Sequence, residues 1–357
     1  MSAIGEPMFV EHLLDTNVYA LGADMGDRQQ GKLADVVALD ASTILLYSEE
    51  RKSVIDQFTN ETLFIHLRTA DFDRDGDMDL VAADHRNGNI ILYRNPGTIE
   101  LKRERWPKVM IDEQCEGAHA VALGDINGDG KIDIVASSEK EGTPPNSLFW
   151  YEAPEIVTEQ WKKHVIGAGQ AGGLAHYPAI GDLNGDKTPD VVHAAKGGNW
   201  YRAWLQPARP DLPWVFRELG TNYTLATNIQ IEDVNRDGIQ DLIATQGHLT
   251  GLHWFEGPDF TPHLVDQTLK SPHTLATGDF DSDGDIDFAT CAFESRVLAW
   301  FQNDGRGKFR QQTISTNQAA YDLVARDMDG DGDLDFIVAG QESRKVSWYE
   351  QVWEKGK

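Results

Sequence analysis

Oxygen-bearing side chains recur along this chain at a spacing that suits a hard cation. Six nine-residue stretches carry Asp or Asn at their first and third positions and Asp at their fifth and ninth. They are DFDRDGDMD (71–79), DINGDGKID (125–133), DLNGDKTPD (182–190), DVNRDGIQD (233–241), DFDSDGDID (279–287) and DMDGDGDLD (327–335). The candidate ligands are Asp71, Asp73, Asp75 and Asp79; Asp125, Asn127, Asp129 and Asp133; Asp182, Asn184, Asp186 and Asp190; Asp233, Asn235, Asp237 and Asp241; Asp279, Asp281, Asp283 and Asp287; and Asp327, Asp329, Asp331 and Asp335. A Ca2+ cage takes six to eight oxygens at about 2.3–2.6 Å, and a loop that turns back after its fifth residue aims these side chains at one point. Glycine at the sixth position (Gly76, Gly130, Gly238, Gly284, Gly332) permits the tight turn. Lys187 stands there in the third stretch, which implies a distorted or weaker site. Acidic turns capped by water are the alternative, but carboxylates crowded without a cation repel one another. The expectation is about six structural Ca2+ sites, whose +12 would bring the formal charge of −26 to −14.

A second set of reactive side chains keeps its own register. Five or six residues before the first aspartate of the six stretches stand His66, His119, His176 with Tyr177, Asn228, His273, and Tyr321 with Asp322. Two chemistries fit these residues. His119, His176 and His273 would converge on Zn2+ or another divalent metal with positions left open for water or substrate. Alternatively, His and Tyr act directly, one removing a proton and the other protonating a leaving oxygen; His176-Tyr177 is the preferred pair, with His119, His273 and Tyr321 beside it. Adjacent strand residues point to opposite sides, so both members of that pair serve only if the strand end bends. A structural hydrogen-bond belt is the competing reading.

The elements that position these residues are short strands. Each acidic stretch lies between two apolar runs, such as AVALG and DIVAS, and a third run ends in aromatic residues (Leu92-Tyr93, Trp150-Tyr151, Trp254-Phe255, Trp300-Phe301, Trp348-Tyr349). A fourth run reads like WPKVMID (106–112), WKKHVIG (161–167) or FTPHLVD (260–266). No sustained helical period is present. The stretches recur every 46 to 57 residues, with a blurred earlier copy at 23–35. Four strands per unit of that length describe a propeller blade. The predicted fold is therefore an all-β, seven-bladed β-propeller with four antiparallel strands per blade, a single domain over 9–351. Blade cores are expected near 17–50, 65–96, 119–152, 176–206, 227–256, 273–303 and 321–350. The last unit has only three strands, and FVEHLLD (9–15) has the fourth-strand pattern without a unit before it. The N-terminal strand is thus expected to complete the last blade and close the ring.

The D-x-[DN]-x-D-G-x-x-D loops between apolar strands resemble the FG-GAP/VCBS repeats, which build seven-bladed propellers in integrin α-chain heads, some bacterial surface proteins, polysaccharide lyases and aldos-2-ulose dehydratase-like proteins. The likeness spans nearly the whole chain. It implies Ca2+ loops joining strands one and two of each blade, so the start of strand one and the turn after strand two open on the opposite face. There the histidine register would ring the mouth of the central channel. The turns add Asp84-His85-Arg86, Glu139-Lys140, Lys196, Gln246 with His248, Glu294 with Arg296, and Gln341-Glu342. The lyase and dehydratase members imply β-elimination on a sugar. Candidate substrate-binding residues are His66, Arg86, Lys140, Lys196, Asn228, His248 and Asp322, with the cations neutralising substrate charge. The integrin likeness implies the alternative, a non-catalytic module binding glycan or protein.

Composition narrows the partners. A charge of −26 repels nucleic-acid phosphates and anionic membrane faces. No apolar run reaches the roughly 18 residues of a membrane span, and the start MSAIGEPMFVEH lacks signal-peptide features. Calcium loops of this type suit millimolar calcium, so an extracellular or periplasmic location is expected, with carbohydrate as ligand and a protein partner as a further option. Cys115 and Cys291 are expected to be free thiols, one long-range bridge being the alternative. The run GAGQAGGLAH (167–176) reads as a flexible loop leading into His176, with a lid as its alternative use, and 354–357 as a short polar tail. No G-x-S-x-G, P-loop or H-E-x-x-H is present.

Overall fold

The computed structural model describes residues 7–28, 31–48, 51–59, 62–97, 105–139, 148–167 and 175–353. The described residues form seven four-stranded antiparallel sheets and no helix. Their innermost strands are Gly22–Met25, Phe64–Ala70, Ala118–Gly124, Ala175–Gly181, Asn228–Glu232, Ala276–Gly278 and Asp322–Arg326. Neighbouring innermost strands pack side by side at six of the seven steps, Asp322–Arg326 against Gly22–Met25 among them, and the Thr277 hydroxyl donates to Glu232 across the seventh. The last sheet runs from Asp322–Arg326 through Asp335–Gly340 and Lys345–Trp353 to Pro7–Thr16. The N-terminal strand is therefore its outermost member, paired antiparallel with His12 opposite Trp348. Two ends of the chain in one sheet leave the ring no broken seam.

The second strand of each blade explains the near-continuous apolar runs. It is covered on both faces by adjacent blades, so every residue of Asp79–Asp84 and Asp133–Ser138 is buried. Alternation then sorts the side chains between blades. Val81 and Ala83 pack towards Val121, Ile134 and Ala136 on one side, while Leu80 and Ala82 pack towards Val37, Leu39 and Leu46 on the other. At the rim, a Trp-x-Glu end of strand three recurs with a histidine from strand four. His12, His164 and His263 stack on Trp348, Trp150 and Trp254 at 4.3, 4.1 and 4.4 Å. The same rings bond Glu350, Glu152 and Glu256 at 2.6, 2.9 and 2.8 Å. These three histidines clamp outer strands.

The blurred first copy has become a latch. Arg28 reaches Asp327 of the last blade at 3.0 Å, and the Asp27 carboxylate accepts from Met78 N and Asn95 Nδ2 of the second blade. Cys115 and Cys291 are both buried and unpaired. Of the loop expected at 167–176, Gly167, Ala175 and His176 belong to strands, while 168–174, like the tail at 354–357, lies outside the described residues.

Candidate functional site

At one end of the ring stand the acidic loops. In each, the first aspartate accepts from backbone N–H groups further along the same turn, as Asp71 does from Asp75 N and Gly76 N at 3.1 and 3.0 Å. The sixth residue has the left-handed conformation that glycine favours, with φ of 96° at Gly76, and Lys187 takes it at 70°. The ninth aspartates play a different part from the other three positions. Asp79, Asp133, Asp190, Asp241, Asp287 and Asp335 are fully or almost fully buried. Asp133 accepts from Ile126 N at 3.0 Å and Ala153 N at 2.8 Å, which staples the loop to the end of strand three. Asp79, Asp190, Asp241 and Asp335 repeat this pattern. Asp287 substitutes the Trp300 indole for one donor. Burial, with Asp73 and Asp75 nearby, pushes Asp79 up to about 7.

The first, third and fifth positions separate the loops into two kinds. In the three all-aspartate loops, Asp71/Asp73/Asp75, Asp279/Asp281/Asp283 and Asp327/Asp329/Asp331 bring carboxylate oxygens within 4.8 Å of one another. Where the third position is Asn, its amide donates to the fifth aspartate: Asn127 to Asp129 at 3.2 Å, Asn184 to Asp186 at 3.0 Å and Asn235 to Asp237 at 3.1 Å. The all-aspartate loops therefore gather three carboxylates, a set that oxygen-seeking Ca2+ fits, with Arg28 pairing to Asp327 at the edge of one of them. Asp73 also carries an ion pair with Arg94 at 2.7 Å.

At the other end the histidines meet. Register irregularities between Ala118 and Val121, and between Ala175 and Pro178, bend the starts of two innermost strands. The bend brings His176 and Tyr177 to 5.1 Å between ring centres rather than leaving them on opposite faces. A row of rings results: His85 to His119 at 6.3 Å, His119 to His176 at 3.8 Å, His176 to His273 at 5.4 Å, and His273 to Tyr321 at 4.2 Å. His248, from the turn after strand two, leans over His273 at 5.1 Å and His176 at 6.2 Å. Phe293 stacks against Tyr321 at 4.2 Å.

Glu139 organises one half of this row. Its Oε1 lies 3.5 Å from Nε2 of both His119 and His176, and its Oε2 lies 3.5 Å from His85 Nε2. Burial works upward on this carboxyl, but His119, His85 and Lys196 hold it below its ordinary value. Burial pushes His119 down to about 4, with His85 and Lys196 adding to the effect against Glu139. Burial followed by Lys196 likewise takes His248 to about 4. His66, His176 and His273 are also pushed well down by burial. Near neutral pH these imidazoles are uncharged, each with one lone pair. Nδ1 of His119 and His176, Nε2 of His248 and Oε1 of Glu139 are buried without a hydrogen-bond partner.

The other expected site residues fall into distinct places. His66 Nδ1 accepts from Val121 N at 3.1 Å, so its proton sits on Nε2 and the ring is a donor. His66, Tyr177 and Asn228 line a cavity of about 460 Å³ in the channel, together with Arg68, Gln230 and Arg326. The buried Tyr177 hydroxyl donates to the Tyr321 carbonyl at 3.4 Å, whereas Tyr321 itself is half-buried at the mouth. Asp322 is fully buried and engaged by Arg68 at 2.8 and 2.9 Å, Ala23 N at 3.2 Å and Leu323 N at 3.1 Å. This carboxylate ties three blades together. Arg86 is exposed in its turn and Lys196 half-buried, while Lys140 lies outside the described residues. Glu139 and His85 belong to the cluster although residue type alone left them as turn polars. The signal was their register: His85, Glu139 and Lys196 each follow the first aspartate of their loop by 14 residues.

Comparison with known proteins bears on the fold. The FG-GAP-like repeat family is matched by residues 71–136, 125–193 and 279–338. No curated protein sequence matches the chain. Among solved structures, the chain is similar to an Agrocybe aegerita lectin whose title describes specific recognition of non-reducing terminal N-acetylglucosamine. The two share 15% identity at a TM-score of 0.59, with 99% of this chain and 96% of that chain covered.

Proposed function

For this chain, which belongs to the FG-GAP-like repeat family, we propose a calcium-stabilised, carbohydrate-active propeller that performs β-elimination at the histidine-lined mouth. The observation that carries the catalytic half is the His119–Glu139 arrangement, in the same row of rings that ends at Tyr321. Glu139 faces His119 Nε2 and leaves Nδ1 without a partner, the disposition of an oriented general base. In the reaction, His119 takes the proton next to the sugar carboxylate or carbonyl, a carbon–carbon double bond forms, and the carbon–oxygen bond to the leaving group breaks. The Tyr321 hydroxyl supplies the proton that the leaving oxygen takes up. Glu139 stabilises the imidazolium, and Lys196, whose charge reaches His119, His176 and His248, neutralises the substrate's anionic group. Tyr177, hydrogen-bonded inward, supports Tyr321 rather than acting as the acid. Calcium in the acidic loops at the opposite end holds strands one and two of the blades. Its millimolar supply outside the cell accords with an exported protein.

The carbohydrate half draws on the lectin with the same fold, and that likeness also motivates the second reading, glycan binding without turnover. The test is a screen of uronate-containing polysaccharides and keto-sugars for ultraviolet absorbance from unsaturated products. Removing an acid or base contributes roughly 10²–10⁴-fold, so Tyr321→Phe and His119→Gln should each lose at least 100-fold in kcat with intact folding. Full turnover in both variants would overturn the assigned roles. Saturable glycan binding with no product from any substrate would leave the lectin-like reading.

A further inference from the structure

The mouth contains a second constellation that the elimination roles do not use. His176, His248 and His273 present ring nitrogens within 4.8 Å of one another. They come from an innermost strand (His176), the turn after a second strand (His248) and the segment just ahead of another innermost strand (His273), on three successive blades, so the packing of neighbouring blades assembles them. Each is prepared as a ligand in its own way. His273 Nδ1 faces the Tyr321 carbonyl at 3.2 Å; a carbonyl only accepts, so the proton is on Nδ1 and the Nε2 lone pair is free. His248 Nε2 is buried without a partner although the residue itself is half-exposed. His176 is 1% exposed, its Nδ1 lacks a partner, and its Nε2 faces Glu139 at 3.5 Å.

We infer that His176, His248 and His273 bind one transition-metal ion of the Zn2+ or Co2+ class, with Glu139 and the Tyr321 carbonyl orienting His176 and His273 from behind. Three neutral imidazoles and no carboxylate among the ligands select a borderline metal over Ca2+ or Mg2+. A ligating histidine whose other nitrogen meets a carboxylate or carbonyl is the usual supporting arrangement, and two of the three have it. Zn–N bonds of about 2.0–2.1 Å require the three nitrogens to draw closer, which the turn carrying His248 allows. Three protein ligands leave a coordination position open towards the mouth. His66 is excluded from the set, because the Val121 N–H occupies its lone pair. The inference goes beyond sugar turnover and does not depend on it.

The experiment titrates the chelator-stripped full chain with Co2+ in excess Ca2+, reading visible ligand-field bands and metal content. One Co2+ per chain, retained against Ca2+ and displaced by Zn2+, is the expected result. His273→Ala and His248→Ala should abolish the bands, and Glu139→Gln should weaken binding 10–100-fold, while the rim variant His164→Ala leaves both unchanged. His248 stands in a half-exposed turn, so its variant tests the site even if the buried ones misfold. Co2+ that Ca2+ displaces, or bands unchanged in His248→Ala, would overturn the site. Cobalt binding without any elimination would support the metal site and refute only the catalytic reading. Elimination by a chain that binds no cobalt would do the reverse.

Discussion

Replacing Asp322 with asparagine separates a structural carboxylate from a substrate-binding one. Its side chain is fully buried and meets Arg68 through two hydrogen bonds of 2.8 and 2.9 Å, while Ala23 N donates to it from the neighbouring blade at 3.2 Å. Burial opposes the Arg68 charge, but Asp322 and then Asp24 hold the guanidinium protonated. A neutral amide in place of the carboxylate would leave that cation largely uncompensated inside the channel. Removing one partner of a buried pair costs about 3–5 kcal/mol. An unfolding entropy of about 2.1 cal/mol/K per residue gives the 357-residue chain about 0.75 kcal/mol/K, so the melting temperature should fall by about 4–7 °C. Calorimetry in saturating calcium reads this without interference from the loops. The double variant Arg68→Met/Asp322→Leu removes both charges and should recover most of the loss. A single variant melting within 1 °C of the parent, or a double variant less stable than the single, would refute the reasoning.

Three further outcomes follow from the loops and core. Lys187 occupies a left-handed position at φ 70° where five sister loops have glycine; Lys187→Gly should stabilise by about 1 kcal/mol, read as a higher denaturant midpoint. Calcium titration of the stripped protein should resolve a tighter class from the all-aspartate loops at 71, 279 and 327 and a weaker one from the Asn loops, with Asp281→Asn moving one site between classes; a single class of six equal sites contradicts this. Leu80, fully buried between the first and second blades, should lose about 2–5 kcal/mol on truncation to Ala, measured by urea denaturation, and a change under 1 kcal/mol would mean that the interface collapses around the gap.

Blade count, strand order and ring closure were legible because each depends on local pattern. A two-residue alternation and a repeated turn read the same in any blade, and FVEHLLD announced itself by matching fourth strands. The ninth loop position was legible only as an acid. That Asp133 serves two backbone N–H groups depends on where strand three ends, 20 residues away at Ala153. The histidine register was likewise visible, yet His66 and His119 look alike in sequence. Val121 N reaches His66 and Glu139 reaches His119, and those partners make one ring a donor and leave the other an acceptor.

By itself the sequence determined a ring of seven blades with acid loops at one end and imidazoles near the other, since periodicity sets which end of a strand each residue occupies. Only the tertiary structure decided which imidazoles meet. Convergence on the axis joins His248 from a turn with His176 from a strand and His273 from the segment ahead of one, on other blades. It also turns Asp322 away from the mouth to Arg68. Those choices are made by contacts between residues far apart in the chain, where spacing carries no information and radial position carries all of it.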